Sequence, residues 1–283
     1  MKLKIGTRGS NLALIQTRRV GDQIKTIKPE VEIELIIVKT SGDLRRKTKG
    51  SGIFAKEVNQ AVLDGDADIG VHSLKDLPTR LPEGLSLVSI PERLTPNDVL
   101  ITPNGARLSD LPSDSIIGTG SPRRRAEISH LRTDLKFKKI RGNVDTRIRK
   151  VESGDFDGLI TSMAALERLG LEEKASQKFD FEEVVPAAGQ GSLGVVGRKD
   201  DEKTSFLGEI SDEKARLESI CERAFLRELG LGCKAGAGVL ARAKDNEIKT
   251  LAVLHDSEGR HLVKLRGSDP VELGEKATRE VKE

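Results

Sequence analysis

Asp76 is the residue best placed to do chemistry. It closes the segment Ser73-Leu74-Lys75-Asp76, which follows the apolar run Ile69-Gly70-Val71-His72 and is cut off by Pro78. A short apolar run that stops abruptly in polar residues reads as a strand delivering ionisable groups to its C-terminal tip. Open α/β sheets bind their ligands beyond that edge. A carboxylate there suits a reaction that builds positive charge, because it stabilises a cation and holds a proton near it. Lys75 is its chain neighbour, and on an extended segment the two would point to opposite sides, so they serve one atom only if the chain turns. His72 reads as a hydrogen-bonded structural residue without a catalytic role.

The arginines carry a second signal. Arg8, Arg123, Arg124, Arg141 and Arg147 all fall where a strand is expected to give way to a helix, whereas surface arginines ordinarily lie along exposed helix faces. Guanidinium groups bind carboxylates and phosphates bidentately, so these five suggest a field for several anionic groups. The chain has no G-x-x-x-x-G-K-[ST], which excludes a P-loop. Gly189-Gln190-Gly191 with Gly194 mimics part of a dinucleotide fingerprint but leads into a strand. A substrate bearing several carboxylates therefore fits better than a nucleotide.

The two cysteines differ in setting. Cys221 lies on the apolar face of an expected helix and reads as an inert core thiol. Cys233 lies in a loop closely flanked by Gly230, Gly232, Gly236 and Gly238, which keeps a thiol accessible. Four scattered histidines and no C-x-x-C give no metal site.

Composition narrows the partners. The 283 residues suggest two or three domains. With 48 basic and 45 acidic residues the net charge is only +3, and seven Phe are the only large aromatics, which argues against a nucleic-acid surface. No run approaches the ~18 apolar residues of a membrane span. Met1-Lys2-Leu3-Lys4-Ile5 lacks the apolar core of a signal peptide, so a cytoplasmic protein is expected.

The elements that must position these residues follow from the pattern. Strands are expected at Lys2 to Thr7, Val31 to Thr40, around Ile69, and at Leu85 to Ile90. Helices are expected after Ser10 or Asn11, which cap, and over Ile53 to Leu63. The β-α-β-α-β order argues a largely parallel sheet. Leu44 to Gly52 is a basic, glycine-containing loop suited to an active-site lid. Pro91 to Pro96 reads as a linker, after which the chain starts again. Strands at Ser115 to Thr119, Lys136 to Ile140 and Asp157 to Ile160 each run into a helix. The first of these helices is opened by Ser121 at the N-cap and Pro122 at N1. This repeated pattern suggests two similar α/β domains facing each other across a cleft. Ala187 to Val196 is a glycine-rich turn into a strand. Asp212 to Leu229 is helical, and an antiparallel meander and a final helix make a small α+β third domain.

In order and spacing, these motifs resemble the porphobilinogen deaminase family over nearly the whole chain. The carriers are Thr7-Arg8-Gly9-Ser10, Ser41-Gly42-Asp43, Gly52 to Glu57, Asp68 to Pro78 and Gly118 to Arg124. Arg141-Gly142-Asn143-Val144-Asp145-Thr146-Arg147, Pro186 to Gly191, and Glu222-Arg223-Ala224 up to Cys233 complete the set. The resemblance implies an α/β fold of three domains. The first two would be periplasmic-binding-protein-like (type II) sandwiches and the third a small α+β domain with an antiparallel sheet. They would span 1–94 plus about 190–209, then 95–189, then 210–283. It implies a dipyrromethane cofactor joined to Cys233 by a thioether. Four porphobilinogen units would be added with loss of ammonia, and the linear tetrapyrrole hydroxymethylbilane released. Asp76 matches the catalytic aspartate. Arg8, Arg123, Arg124, Arg141 and Arg147 match residues that bind acetate and propionate groups. Ser10, Ser73, Lys75, Thr119, Ser121, Gly142, Asn143 and Gln190 fall at or near binding positions, and Phe54 at an aromatic contact. A monomer without metal, nucleic acid or membrane partners is expected. The chain departs from the family pattern at Ser51, Gly120, Lys234 and Val196. The competing readings are an anion-binding module without chemistry, against which Cys233 argues, and a nucleic-acid-binding regulator, against which the small net charge argues.

Overall fold

A computed structural model of the chain describes residues 1–39, 55–230 and 236–283. The chain opens with β1 (Lys2–Arg8), α1 (Asn11–Ile27), β2 (Glu32–Val38), α2 (Lys56–Leu63), β3 (Ile69–Ser73) and β4 (Leu85–Ser89). It continues through β5 (Asp98–Ile101), β6 (Ile116–Gly118), α3 (Pro122–Leu131), β7 (Lys136–Lys138), α4 (Val144–Glu152), β8 (Gly158–Ser162), α5 (Met163–Leu169) and β9 (Gln177–Lys178). Then come β10 (Leu193–Arg198), α6 (Glu213–Leu229), the strands β11 (Gly236–Lys244), β12 (Glu247–His255) and β13 (Arg260–Gly267), and α7 (Pro270–Glu280). The fold divides into two compact units, Met1–Arg93 with Ser192–Ser219 and Leu94–Gly191 with Ile220–Glu283.

The first unit is built on a five-stranded sheet in the order β2-β1-β3-β10-β4. β1 pairs parallel with β2 and β3, and β10 runs antiparallel between β3 and β4. Four strands therefore share one direction, as the β-α-β-α-β order requires, and only the returning β10 is inverted. α1 buries Ala13, Gln16, Thr17, Val20, Gly21 and Ile24, the i, i+3, i+4 spacing of one helix face. Val20 and Ile24 pack with Leu3, Ile5, Ile69 and Val195 on one side of the sheet. Val62 of α2 packs with Leu74, Leu77, Leu85 and Val196 in a separate cluster.

The second unit repeats the layout. Its sheet runs β7-β6-β8-β5-β9, with β6 parallel to β7 and β8, and β5 antiparallel to β8 and β9. Three parallel strands, one inverted strand and an edge strand thus occur twice. Ile128 of α3 packs with Ile117 and Ile160. Ile148 and Val151 of α4 and Leu166 of α5 form another cluster with Val99 and Leu159. The unit also holds the three-stranded antiparallel sheet β11-β12-β13, with α6 and α7 packed on it through Phe225, Val239, Ala252 and Ala277. Its first hairpin turns at Asp245 and Asn246, both with positive φ (49° and 61°), the conformation a two-residue turn needs to match strand twist.

Two strands escape the sequence pattern. β5 follows the Pro91 to Pro96 linker with four residues, and β9 has two. Both lack the length to show alternation. The expected helix over Ile53 to Leu63 is described from Lys56 onward; Phe54 and the Leu44 to Gly52 loop lie outside the described residues.

Candidate functional site

The candidate residues fall into two sets, one per unit. In the first, β3 ends at Ser73 and Leu74–Asp76 form a single 3-10 turn. The turn is pinned at both ends: Leu74 N–H donates to Ser192 O (3.0 Å), and Leu77 N–H donates back to Leu74 O (3.1 Å). Leu74 itself is buried and acts as the anchor. With three residues per turn, Lys75 and Asp76 stand about 120° apart instead of on opposite sides. Asp76 is exposed and Lys75 half-buried. Asp76 borders a small hollow also lined by Arg8, Gln16, His72 and Ser73. Arg8 ends β1, and Ser10 caps α1, its Oγ accepting from Ala13 N–H at 3.4 Å. Gln16 Nε2 donates to Ser73 Oγ at 2.9 Å, fixing that hydroxyl.

His72 is buried, and its Nε2 has no hydrogen-bond partner. Burial first, and the Arg8 cation second, lower its pKa to about 4. The ring is neutral over the physiological range, and the hydrogen bond expected of it from the sequence is not made at Nε2.

In the second unit, Ser121 caps α3 by accepting from Arg124 N–H (3.4 Å), with Pro122 next, and Thr119 Oγ1 accepts from Ser121 N–H (3.2 Å). The first turn of the helix carries Arg123 and Arg124, which are 4% and 9% exposed. Both converge on Asp98, the fully buried first residue of β5. Arg123 Nη1 lies 2.6 Å from Oδ2, and Arg124 donates to Oδ1 from Nε (3.0 Å) and Nη2 (2.8 Å). Gln190 completes the cluster. Its Nε2 donates to Asp98 Oδ1 (2.9 Å) and Pro96 O (2.7 Å), and its Oε1 accepts from Arg124 Nη2 (3.3 Å). Burial alone would raise the Asp98 pKa, but the two guanidiniums outweigh it and hold the carboxyl well below the usual range. The cluster holds two positive charges against one negative. Arg123 Nε, buried, has no hydrogen-bond partner. A surplus buried charge with an unused N–H calls for a further anion.

Arg141, Gly142 and Asn143 lead into α4 and are exposed, with Asn143 at the N-cap. Gly142 has φ +113°, and a Cβ there would come within 2.9 Å of Thr146, so the position needs glycine. Arg147 Nε donates to Gly142 O at 2.8 Å, bracing the turn that presents Arg141. Cys221 is fully buried with Sγ 3.3 Å from Thr250 Oγ1. Burial pushes its thiol up to about 12, with the Thr250 bond opposing and Glu222 adding. It is the inert core thiol expected. Cys233 lies outside the described residues.

A family model described as "Porphobilinogen deaminase, dipyromethane cofactor binding domain" matches residues 3–205, and one for the C-terminal domain of that enzyme matches 216–283. The chain belongs to the porphobilinogen deaminase family. A Pyrobaculum neutrophilum protein named "Probable porphobilinogen deaminase" is 42% identical over 99% of this chain and 97% of its own length. The Brevibacillus brevis porphobilinogen deaminase is 40% identical over 96% and 91%. Among solved structures, the methionine binding protein MetQ overlaps 78% of this chain and 94% of its own, with TM-score 0.48 and 11% identity. Family membership gives the activity, that of hydroxymethylbilane synthase: four porphobilinogen units are joined head to tail on a dipyrromethane cofactor and released as hydroxymethylbilane. The donor set fits such a cofactor: a ligand bearing carboxylates would supply a counter-charge to the two guanidiniums that share Asp98.

The sequence points to no role for Asp98 or Gln16, and Glu222 stands out there only within the Glu222-Arg223-Ala224 motif. Each nonetheless had a signal. Two adjacent arginines at a helix start are buried only with a carboxylate partner, and Asp98 opens the next apolar run upstream. Gln16 stands on the apolar stripe of α1, where a polar side chain must find a partner. Glu222 follows Cys221 on the buried side of α6.

Proposed function

We propose that Asp76 is the catalytic acid–base group of this polymerisation and that Cys233 carries the cofactor through a thioether. The observation that carries the reading is the pinned 3-10 turn, which holds an exposed carboxylate beside Arg8 and a fixed Ser73 hydroxyl. In each addition the C–N bond of the aminomethyl group breaks and ammonia leaves with a proton. The methylene carbon, now part of a cationic azafulvene, bonds to the free α-carbon of the preceding pyrrole, and that carbon then loses its proton. Asp76 stabilises the cation, accepting a hydrogen bond from the pyrrole N–H, and takes up the departing proton. Lys75, 120° around the same turn, faces carboxylates of the substrate. The bound cofactor supplies the first acceptor carbon.

Arg8, Arg141 and Arg147 hold acetate and propionate groups. Arg123 and Arg124 offer the surplus charge left by Asp98, with Arg123 Nε–H as the open donor. Gln190 acts on the ligand through Arg124. Ser10, Thr119, Ser121, Gly142 and Asn143 present hydroxyl, amide and main-chain donors at the starts of α1, α3 and α4. Phe54 packs against the growing chain. Cys233 precedes Gly236, the first residue of β11, by three positions in the sequence. A Cβ on Gly236 would lie 3.5 Å from Ala126 of α3, and this proximity supports attachment near the arginine pair. The domain boundaries near 94, 190 and 209, a monomeric state and a cytoplasmic setting belong to the same proposal. The near balance of 48 basic and 45 acidic residues supports a small-molecule rather than nucleic-acid partner.

Intact mass of the purified protein tests the attachment. The expected result is an increment of two linked pyrroles that is lost in Cys233→Ser. Active protein of unmodified mass overturns it.

A further inference from the structure

We propose that Glu222 is a positioning residue for cofactor attachment: its buried carboxylate clamps the two elements that flank Cys233 to the turn that organises the arginine pair. The inference rests on Cys233 being the attachment point. Glu222 belongs to α6, which ends at Leu229, and β11 starts at Gly236, so the elements on either side of the 230–235 span are the ones Glu222 joins. The side chain is fully buried. Its Oε1 accepts from Ala241 N–H of β11 at 2.9 Å, and its Oε2 accepts from Gly189 N–H at 2.6 Å. Gly189 precedes Gln190, whose amide touches both Asp98 and Arg124.

β11 is seated on the same cluster. Val239 N–H donates to Pro186 O at 2.9 Å. A Cβ on Gly238 would lie 2.6 Å from Val185 O and 3.1 Å from Arg123 Cδ, so the strand passes Arg123 with no room for a side chain. Arg123 Nη1 donates to Val185 O at 2.6 Å. One carboxylate therefore fixes three segments at once: the helix before Cys233, the strand after it, and the turn that holds the arginines. A carboxylate suits this task because Gly189 N–H and Ala241 N–H are main-chain donors and it only accepts. A glutamine would accept at one oxygen and turn an NH2 against the other N–H. An aspartate, one methylene shorter, keeps the charge and reaches one of the two.

The test compares full-length proteins purified from one host by intact mass, reading the fraction that carries the two-pyrrole increment. Glu222→Gln is set against Leu166→Ala, a core truncation on α5 in the same unit that touches none of these segments and that supplies a matched loss of Tm. The expected result is loading reduced by roughly tenfold or more in Glu222→Gln, since an ångström of misplacement costs reactions up to about a hundredfold. Leu166→Ala should load nearly fully and Glu222→Asp should be intermediate. Equal loading of Glu222→Gln and Leu166→Ala overturns the proposal. Failure of both Glu222 variants to give folded protein by circular dichroism also overturns it, in favour of a general role in the fold. A wild-type protein without the increment instead defeats the attachment reading itself.

Discussion

Asp76 and Asp98 are both aspartates at the end of a β-strand in a five-stranded sheet, yet they are held in opposite ways. Asp76 stands just past the C-terminal end of β3, exposed, fixed through its backbone and through the buried Leu74 beneath it. Asp98 opens β5, fully buried, with its side chain gripped by two guanidiniums and an amide. The first arrangement leaves a carboxylate available to a reacting group while its position is set elsewhere. The second spends the carboxylate on ordering arginines and leaves a surplus of charge for a ligand. On the proposed function, the same side chain would thus serve chemistry or architecture according to which of its atoms the fold has already engaged.

Replacing each acid should separate the two roles. Asp76→Ala is expected to lower kcat by about 10³- to 10⁴-fold, the span of a lost acid–base and electrostatic group, with Tm within about a degree of wild type. Steady-state assays and thermal unfolding read both, and near-normal turnover would remove Asp76 from its role. Asp98→Asn should do the reverse first. It leaves two buried guanidiniums without a counter-charge, at a cost of about 3–5 kcal/mol in unfolding free energy, measurable by urea titration. Unchanged stability would mean that the cluster is not the structural node drawn here.

His72 gives a smaller effect with a definite sign. Its folded pKa lies near 4 against an ordinary 6.5. Between those values the unfolded chain takes up a proton that the folded one refuses. Stability therefore falls as pH drops from about 6.5 towards 4, by about 3 kcal/mol in all. His72→Asn should flatten that part of the stability-versus-pH curve, and an unaltered slope would assign the acid sensitivity elsewhere. Ser121→Ala is the mildest change. Loss of the cap should cost about 1 kcal/mol of stability. A rise in KM beyond that expected from destabilisation would show that the Ser121 hydroxyl also meets the substrate.

The sequence made the Asp76 turn legible because a strand, a polar tetrapeptide and a proline stand in a row, each with its own local rule. The start of α3 was legible for the same reason, since Ser121 and Pro122 are cap and first-turn residues. Asp98 was not. Its strand is four residues long and follows a proline-rich linker, and its partners are 25 and 26 positions away. Such a pairing is created by the sheet order β6-β8-β5, which no local pattern encodes. Gln190 stood out in the sequence as a candidate site residue, while its use as a brace between Asp98, Pro96 and Arg124 emerges only in three dimensions. Glu222 is the extreme case: it accepts from the main-chain N–H groups of Gly189 and Ala241, and a main-chain donor leaves no trace in a sequence.

The deep burial of Cys221 turns the protein into its own assay. With a thiol pushed up to about 12, only about one Cys221 in ten thousand is a thiolate at pH 8. The chain has two cysteines. Any label that an alkylating dye leaves on the folded protein at that pH therefore does not come from Cys221, and, on the proposed attachment, the labelled fraction should count the molecules whose Cys233 carries no cofactor.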